Sequence, residues 1–168
     1  MVKSSSELHR VALELLDRRG VKLEDIAELV HYLQKPYIKE LTFEMCLDHV
    51  RSVLLKREVQ NTILTGIQLD ILTEKGLMEQ PLQDIIREDE GLYGIDEILA
   101  LSIVNVYGSI GFTNYGYIDK VKPGILKKLN SHEGDEVHTF LDDIVGAIAA
   151  AAASRLAHDN PEISDIMK

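Results

Sequence analysis

The run IVGAIAAAAA at residues 144–153 leaves a helix no face for water. At 3.6 residues per turn its apolar side chains go all the way round, and such a helix is stable only when neighbours enclose it. Glycine and alanine also let those neighbours come close, so the segment from about 137 to 158 is expected at the centre of a helical bundle. Two acids, Asp142 and Asp143, sit at its head. Burying an unpaired ion costs several kcal/mol and a helix N-terminus returns only about 0.3–1 kcal/mol, so something cationic must answer them.

The rest of the chain supplies the surroundings. SSSELHRVALELLDRRG places Leu8, Val11, Ala12, Leu15 and Leu16 on one helical face between serine caps and Gly20, and LEDIAELVHYLQKP repeats the spacing up to Pro36. From Thr42 to Glu74 an apolar series continues to Gly76, long enough to predict two helices with a break near Lys56 or near Gly66. Pro81 opens PLQDIIRED, and IDEILALSIVNVY follows the glycines Gly91 and Gly94. SIGFTNYGYIDKVKPG, rich in glycine, asparagine and aromatics, is expected to be the main loop. A short helix within 122–130, the charged turn SHEGDE and, after the central helix, a polar tail complete the chain. No stretch alternates with period two for long. The predicted class is all-α: one domain over 1–168, with a helical pair in 1–40 and a core in 42–158 that carries the acids.

Charge narrows the function. Lys plus Arg is 18 against 28 Asp plus Glu, a net −10 that repels nucleic acid unless cations gather locally. VKLEDIAELVHYLQ is therefore not expected to read DNA as a helix-turn-helix. Cys46 stands alone, which excludes an internal disulfide and a cysteine zinc site and suits a reducing compartment. Glu7, His9 and Arg10 interrupt the stretch where an export signal needs apolar residues, so a cytoplasmic location is expected. The uncharged run from Ile98 to Ile118 is long enough to cross a bilayer, but its second half is polar and glycine-rich, which favours a buried helix and a loop over a transmembrane span.

IDEIL at 95–99 and LDDIV at 141–145 share one pattern: aliphatic, Asp, acid, Ile, aliphatic. Each opens a strongly apolar helix. Adjacent acids raise each other's pKa unless a cation lies between them. Lys120, Lys122, Lys127, Lys128 and Arg155 are one source of charge; a divalent ion such as Mg²⁺, which favours carboxylate oxygens, is the other. Asp119 with Lys120 and Lys122 joins an acid to two ammonium groups able to hold phosphate. His138, four residues before Asp142, is a further candidate ligand, although a histidine so placed more often caps a helix or faces solvent. The alternative to a metal centre is a non-catalytic interaction module whose acids form salt bridges between helices.

GIDEILALSIVN, YGYIDKVKPGILKKLN and HTFLDDIVGAIAAA, in that order, resemble the D-E, D-x-x-K-P and D-D segments of the phosphatidylglycerophosphatase A family, and REVQNTILTGIQLDILTEKG resembles its soluble, Gram-positive-type branch. The resemblance covers the last two-thirds of the chain. It implies one central helix surrounded by others and a Mg²⁺-dependent phosphomonoesterase acting on phosphatidylglycerophosphate. It further implies that Asp96, Glu97, Asp142 and Asp143 gather one or two divalent ions, and that Asp96, Asp119 and Asp142 serve catalysis. Lys120 and Lys122 would hold the substrate phosphate, with Thr65 and Gly66, the remnant of the family's Pro-Gly-Thr stretch. The expected partner is a phosphate ester met at a membrane surface, to which the protein would be peripheral; a small soluble ester or a nucleoside triphosphate is the alternative. A homo-oligomer fits the same pattern.

Overall fold

A computed structural model describes residues 4–131 and 134–160. The polar tail beyond 160 and two residues of SHEGDE lie outside the described residues. The helices are α1 (Ser5–Arg18), α2 (Leu23–Gln34), α3 (Phe43–Leu54), α4 (Arg57–Glu74), α5 (Leu82–Arg87), α6 (Ile95–Val104), α7 (Gly108–Val121), α8 (Ile125–Leu129) and α9 (Leu141–His158), with a 3-10 turn at Asn105–Tyr107 between α6 and α7. Among the described residues there is no strand.

The helix ends follow local chemistry. Ser4 Oγ accepts the amide of Glu7, Thr42 Oγ1 that of Met45, and Asp25 that of Lys22. The break between α3 and α4 falls at Lys56, where the carbonyl of Leu54 is satisfied by Gln60 Nε2. The helix then runs unbroken through Gly66. That glycine serves packing: a Cβ there would lie 2.3 Å from Ile144 Cδ1 and 3.0 Å from Phe140 Cβ, so its absence lets α4 lie against the head of α9.

α9 is the centre of the bundle. It packs against α2, α3, α4, α6, α7 and α8, and its alanines from Ala147 to Ala153 are fully buried. It begins at Leu141, later than the expected 137, because the residues before it are held in another way. Glu74 accepts the amide of Val137, and Arg19 donates to both Glu74 and the carbonyl of Val137. Thr139 Oγ1 donates to the carbonyl of Ile86. Asp70 of α4 then accepts the amides of Phe140 at 3.1 Å and Leu141 at 3.0 Å, supplying from another helix the cap that the local sequence lacks.

One expectation is overturned. Residues 109–124, taken as the main loop, are mostly helix: α7 runs to Val121 and ends where Lys122 turns to φ 47. Its glycines and aromatics are poor helix formers, but Gly111, Tyr115 and Ile118 recur on one face and are buried, Tyr115 and Ile118 beside Gly146 of α9. Tertiary packing overrides propensity here. The apolar run from Ile95 to Val121, long enough by composition to cross a membrane, is folded as α6, turn and α7 with Gly108 at φ 71. Both ends of that run contribute to one pocket.

Candidate active site

The pocket is a recess of about 160 Å³ lined by Asp89, Glu90, Gly91, Gly94, Asp96, Glu97, Asp119, Lys122, Asn130, Asp142 and Asp143. The α5–α6 loop forms one wall, the heads of α6 and α9 bring the two acidic pairs, and the end of α7 brings Asp119 and Lys122. Tyr93 fixes the loop by packing its ring edge-on against Phe140, centroids 6.0 Å apart. Asp89 and Lys122, at φ 49 and 47, are the non-glycine residues with positive φ among those described, and both line this recess. Backbone held in a sparsely populated region is a recurrent mark of functional sites.

Its electrostatics are one-sided. Seven carboxylates face a single ammonium group, that of Lys122. Lys122 Nζ lies 2.6 Å from Asp119 Oδ1, 2.7 Å from Asp142 Oδ2 and 3.7 Å from Asp143 Oδ1. Burial works against its charge, but Asp142 and Asp119 outweigh it and hold the ammonium above its ordinary range. One ammonium is not enough for the acids. Burial, Asp142 and the other nearby carboxylates push Asp143 up to about 9 despite Lys122. Burial also raises Asp142 against the pull of Lys122, and raises Asp96 against amides at the head of α6. Asp142 and Asp143 are each 5% exposed and Asp96 8%. Asp96 Oδ1 is buried without a hydrogen-bond partner, as is the hydroxyl of Tyr115, whose pKa burial and the charge of Asp143 raise.

The donor set suits a hard divalent cation. Carboxylate oxygens are its preferred ligands, burial pushes Asp96, Asp142 and Asp143 toward protonation against the pull of Lys122, and Asp96 offers an oxygen without a hydrogen-bond partner. Among the described residues, however, no three acids, histidines or cysteines already form a ligand set. In this arrangement the ammonium of Lys122 bridges Asp119 and Asp142.

The sequence candidates divide accordingly. Asp96, Glu97, Asp119, Lys122, Asp142 and Asp143 meet in the recess. Lys120 is exposed and does not line it. Thr65 faces outward, bonded to the carbonyl of Asn61, and Gly66 is spent on packing against α9, so neither lines the recess. His138 turns its Nδ1 to the carbonyl of Leu129 and is likewise absent from the lining. Arg155 faces His49. Asp89, Glu90 and Asn130 were not foreseen; the only sign of the two acids in the sequence is the acid-then-glycine spacing of EDEGLYG, and Asn130 has no such sign. A larger open groove of about 640 Å³, lined by Glu28, His31, Tyr32, Lys35, Pro36 and Phe43, has a single carboxylate and lacks such a donor set.

This all-helical domain, with three acidic segments meeting at the head of its central helix, falls into a known class by its sequence: the family model for phosphatidylglycerophosphatase A matches residues 19–158, and the chain belongs to that family. The chain is 61% identical over 153 residues to the protein YutG of Bacillus subtilis (strain 168), covering 91% of this chain and 92% of that one. Among solved structures it is similar to the low temperature requirement C protein from Listeria monocytogenes, with a TM-score of 0.90 and 68% identity over 93% of this chain and 98% of that one. It is also similar to the protein ypjQ from Bacillus subtilis, with a TM-score of 0.90 and 49% identity over 99% and 100% of the two chains.

Proposed function

We propose that the protein is a Mg²⁺-dependent phosphomonoesterase that removes the terminal phosphate of a lipid such as phosphatidylglycerophosphate. The observation that carries this reading is the meeting of Asp96, Asp119, Lys122 and Asp142 in one recess, with Asp96 Oδ1 left unpartnered. Asp96, Glu97, Asp142 and Asp143 would hold one or two ions, which when bound supply Lewis-acid polarisation of the ester and a more acidic water. The chain's own groups do the rest. Lys122 turns from Asp119 to a phosphate oxygen, neutralising charge as the ester bond breaks. Asp119, freed of the ammonium and the most exposed of the three carboxylates around it, takes a proton from the attacking water at Oδ1 and passes it to the departing alcohol oxygen, so that phosphate and the free alcohol leave. The amide of Asn130 orients the phosphate, and the buried floor at Asp142 and Asp143 excludes bulk water.

The test is phosphate release from micellar phosphatidylglycerophosphate and from a water-soluble phosphomonoester, each with and without Mg²⁺. Mg²⁺-dependent release is expected, with Asp142→Asn slower by at least about 100-fold. A folded protein supplied with Mg²⁺ that releases phosphate from neither ester overturns the reading in favour of structural salt bridges. Release of pyrophosphate from nucleoside triphosphates would move the substrate to that class.

A further inference from the structure

Tyr115 sits on the buried face of α7, with its ring beside Gly146 of α9, where a Cβ would lie 3.8 Å from Cε2. Gly146 follows Asp143 by three residues, so the two share one helical turn and the ring lies just behind the head of the helix. The hydroxyl is sealed from solvent and has no hydrogen-bond partner. Burial, then the charges of Asp143, Asp119 and Asp142, raise its pKa, so the phenol keeps its proton and is a donor held among carboxylates. A phenylalanine would pack the same ring without stranding a polar atom, so packing alone does not account for a tyrosine here. The two acids at this head are also held differently. Asp142 accepts the amide of Asp143 at Oδ1, 2.8 Å away, and Lys122 at Oδ2, 2.7 Å away. Asp143 has the same ammonium 3.7 Å from its Oδ1, beyond hydrogen-bond reach. A stranded donor thus lies beside an acceptor that is only loosely held.

We propose that Tyr115 is a positioning residue of the cation centre: its hydroxyl donates to Asp143 and turns that carboxylate's other oxygen toward a bound Mg²⁺. Carboxylates that ligate a cation are commonly oriented by a hydrogen bond of this kind. Tyr115 touches neither the ion nor the ester and acts through Asp143. Lys122 does not serve in its place, because its ammonium is committed to Asp119 and Asp142 and turns to the phosphate in the reaction. Tyr117, two residues on, has no such part: it is half exposed and stacks on Tyr32, the two hydroxyls 3.2 Å apart. The proposal rests on the reading of the recess as a cation centre and is independent of which ester is cleaved.

Calorimetric titration of Mg²⁺ into wild type, Tyr115→Phe and Tyr117→Phe, together with the Tm of each in chelator, tests it. Tyr115→Phe binds Mg²⁺ at least about tenfold more weakly, yet its Tm in chelator is unchanged or higher, because the variant loses a buried hydroxyl that had no partner. Tyr117→Phe binds as wild type does. The chain has six tyrosines and no tryptophan, so near-UV difference absorption reads the same event: at saturating Mg²⁺ the tyrosine band changes in wild type and Tyr117→Phe, and that change shrinks in Tyr115→Phe. Unchanged affinity or an undiminished band change in Tyr115→Phe overturns the proposal and leaves the cation centre standing. A Tm in chelator that falls along with the affinity also overturns it, since that marks a packing role. A wild type that binds no Mg²⁺ removes the cation centre and this proposal together.

Discussion

The two acidic pairs are near-copies in sequence and differ in what the fold does with them. IDEIL opens α6 behind Gly94, whose φ of 68 lets the chain turn into the helix with no side-chain cap, and the pair is split: Asp96 is buried and Glu97 exposed. LDDIV opens α9 under an outside cap from Asp70, and both of its acids are buried. Lys122 is within 4.0 Å of both members of the second pair and of neither member of the first. A shared pattern thus yields one half-solvated head and one enclosed head, and the difference comes from neighbouring helices.

The largest effect is expected where that difference is made. Asp70→Ala leaves the buried amides of Phe140 and Leu141 without acceptors, each costing about 1–3 kcal/mol, so urea denaturation should show a loss of roughly 2–5 kcal/mol. Asp70→Asn, which keeps one oxygen, should lose less. An alanine variant as stable as wild type would break the distinction between the two heads.

A smaller effect comes from pH. Between the ordinary carboxyl value of 3.8 and about 9, the metal-free folded chain keeps on Asp143 a proton that the unfolded chain has released. Stability of the chelator-treated protein should therefore fall as pH rises through that window, because the folded state binds more protons there. Asp143→Asn reduces the dependence, the remainder coming from Asp70, Asp96 and Asp142, which burial also raises, and it raises Tm at pH 8 by about 2–4 °C in chelator, while Mg²⁺ flattens the wild-type slope. A metal-free Tm that climbs from pH 5 to pH 8 would contradict the burial argument. The smallest effect belongs to the solvated member of the pairs: Glu97→Gln should change stability by no more than about 0.5 kcal/mol. A larger loss would mean that the first head is as enclosed as the second.

The central position of α9 was legible because an all-round apolar run has one physical solution, and the acids were legible because such a run gives carboxylates no easy place. Their convergence was not: Asp96 meets Asp142 because α6 packs directly on α9, and Asp119 and Lys122 join them because α7 is helical and folds back against both, a helix that its glycines and aromatics hide from propensity. Asp70 reads locally as one more polar residue of an amphipathic helix, since its partners lie 70 and 71 residues away. Gly66 looked like a break because a glycine in a helix lowers propensity, and the neighbour that makes it necessary is in another helix. Local signals predicted which residues carry charge; which of them share a site is decided by contacts distant in sequence.

The central claim is that both pairs serve one cation centre, and calorimetric titration of Mg²⁺ into wild type, Asp96→Asn, Asp142→Asn and the double variant tests it most directly. Each single substitution should weaken binding by at least about tenfold, with the double variant little worse than either, as for groups acting as a unit. Binding that is unchanged in Asp96→Asn, or losses that simply add, would contradict it.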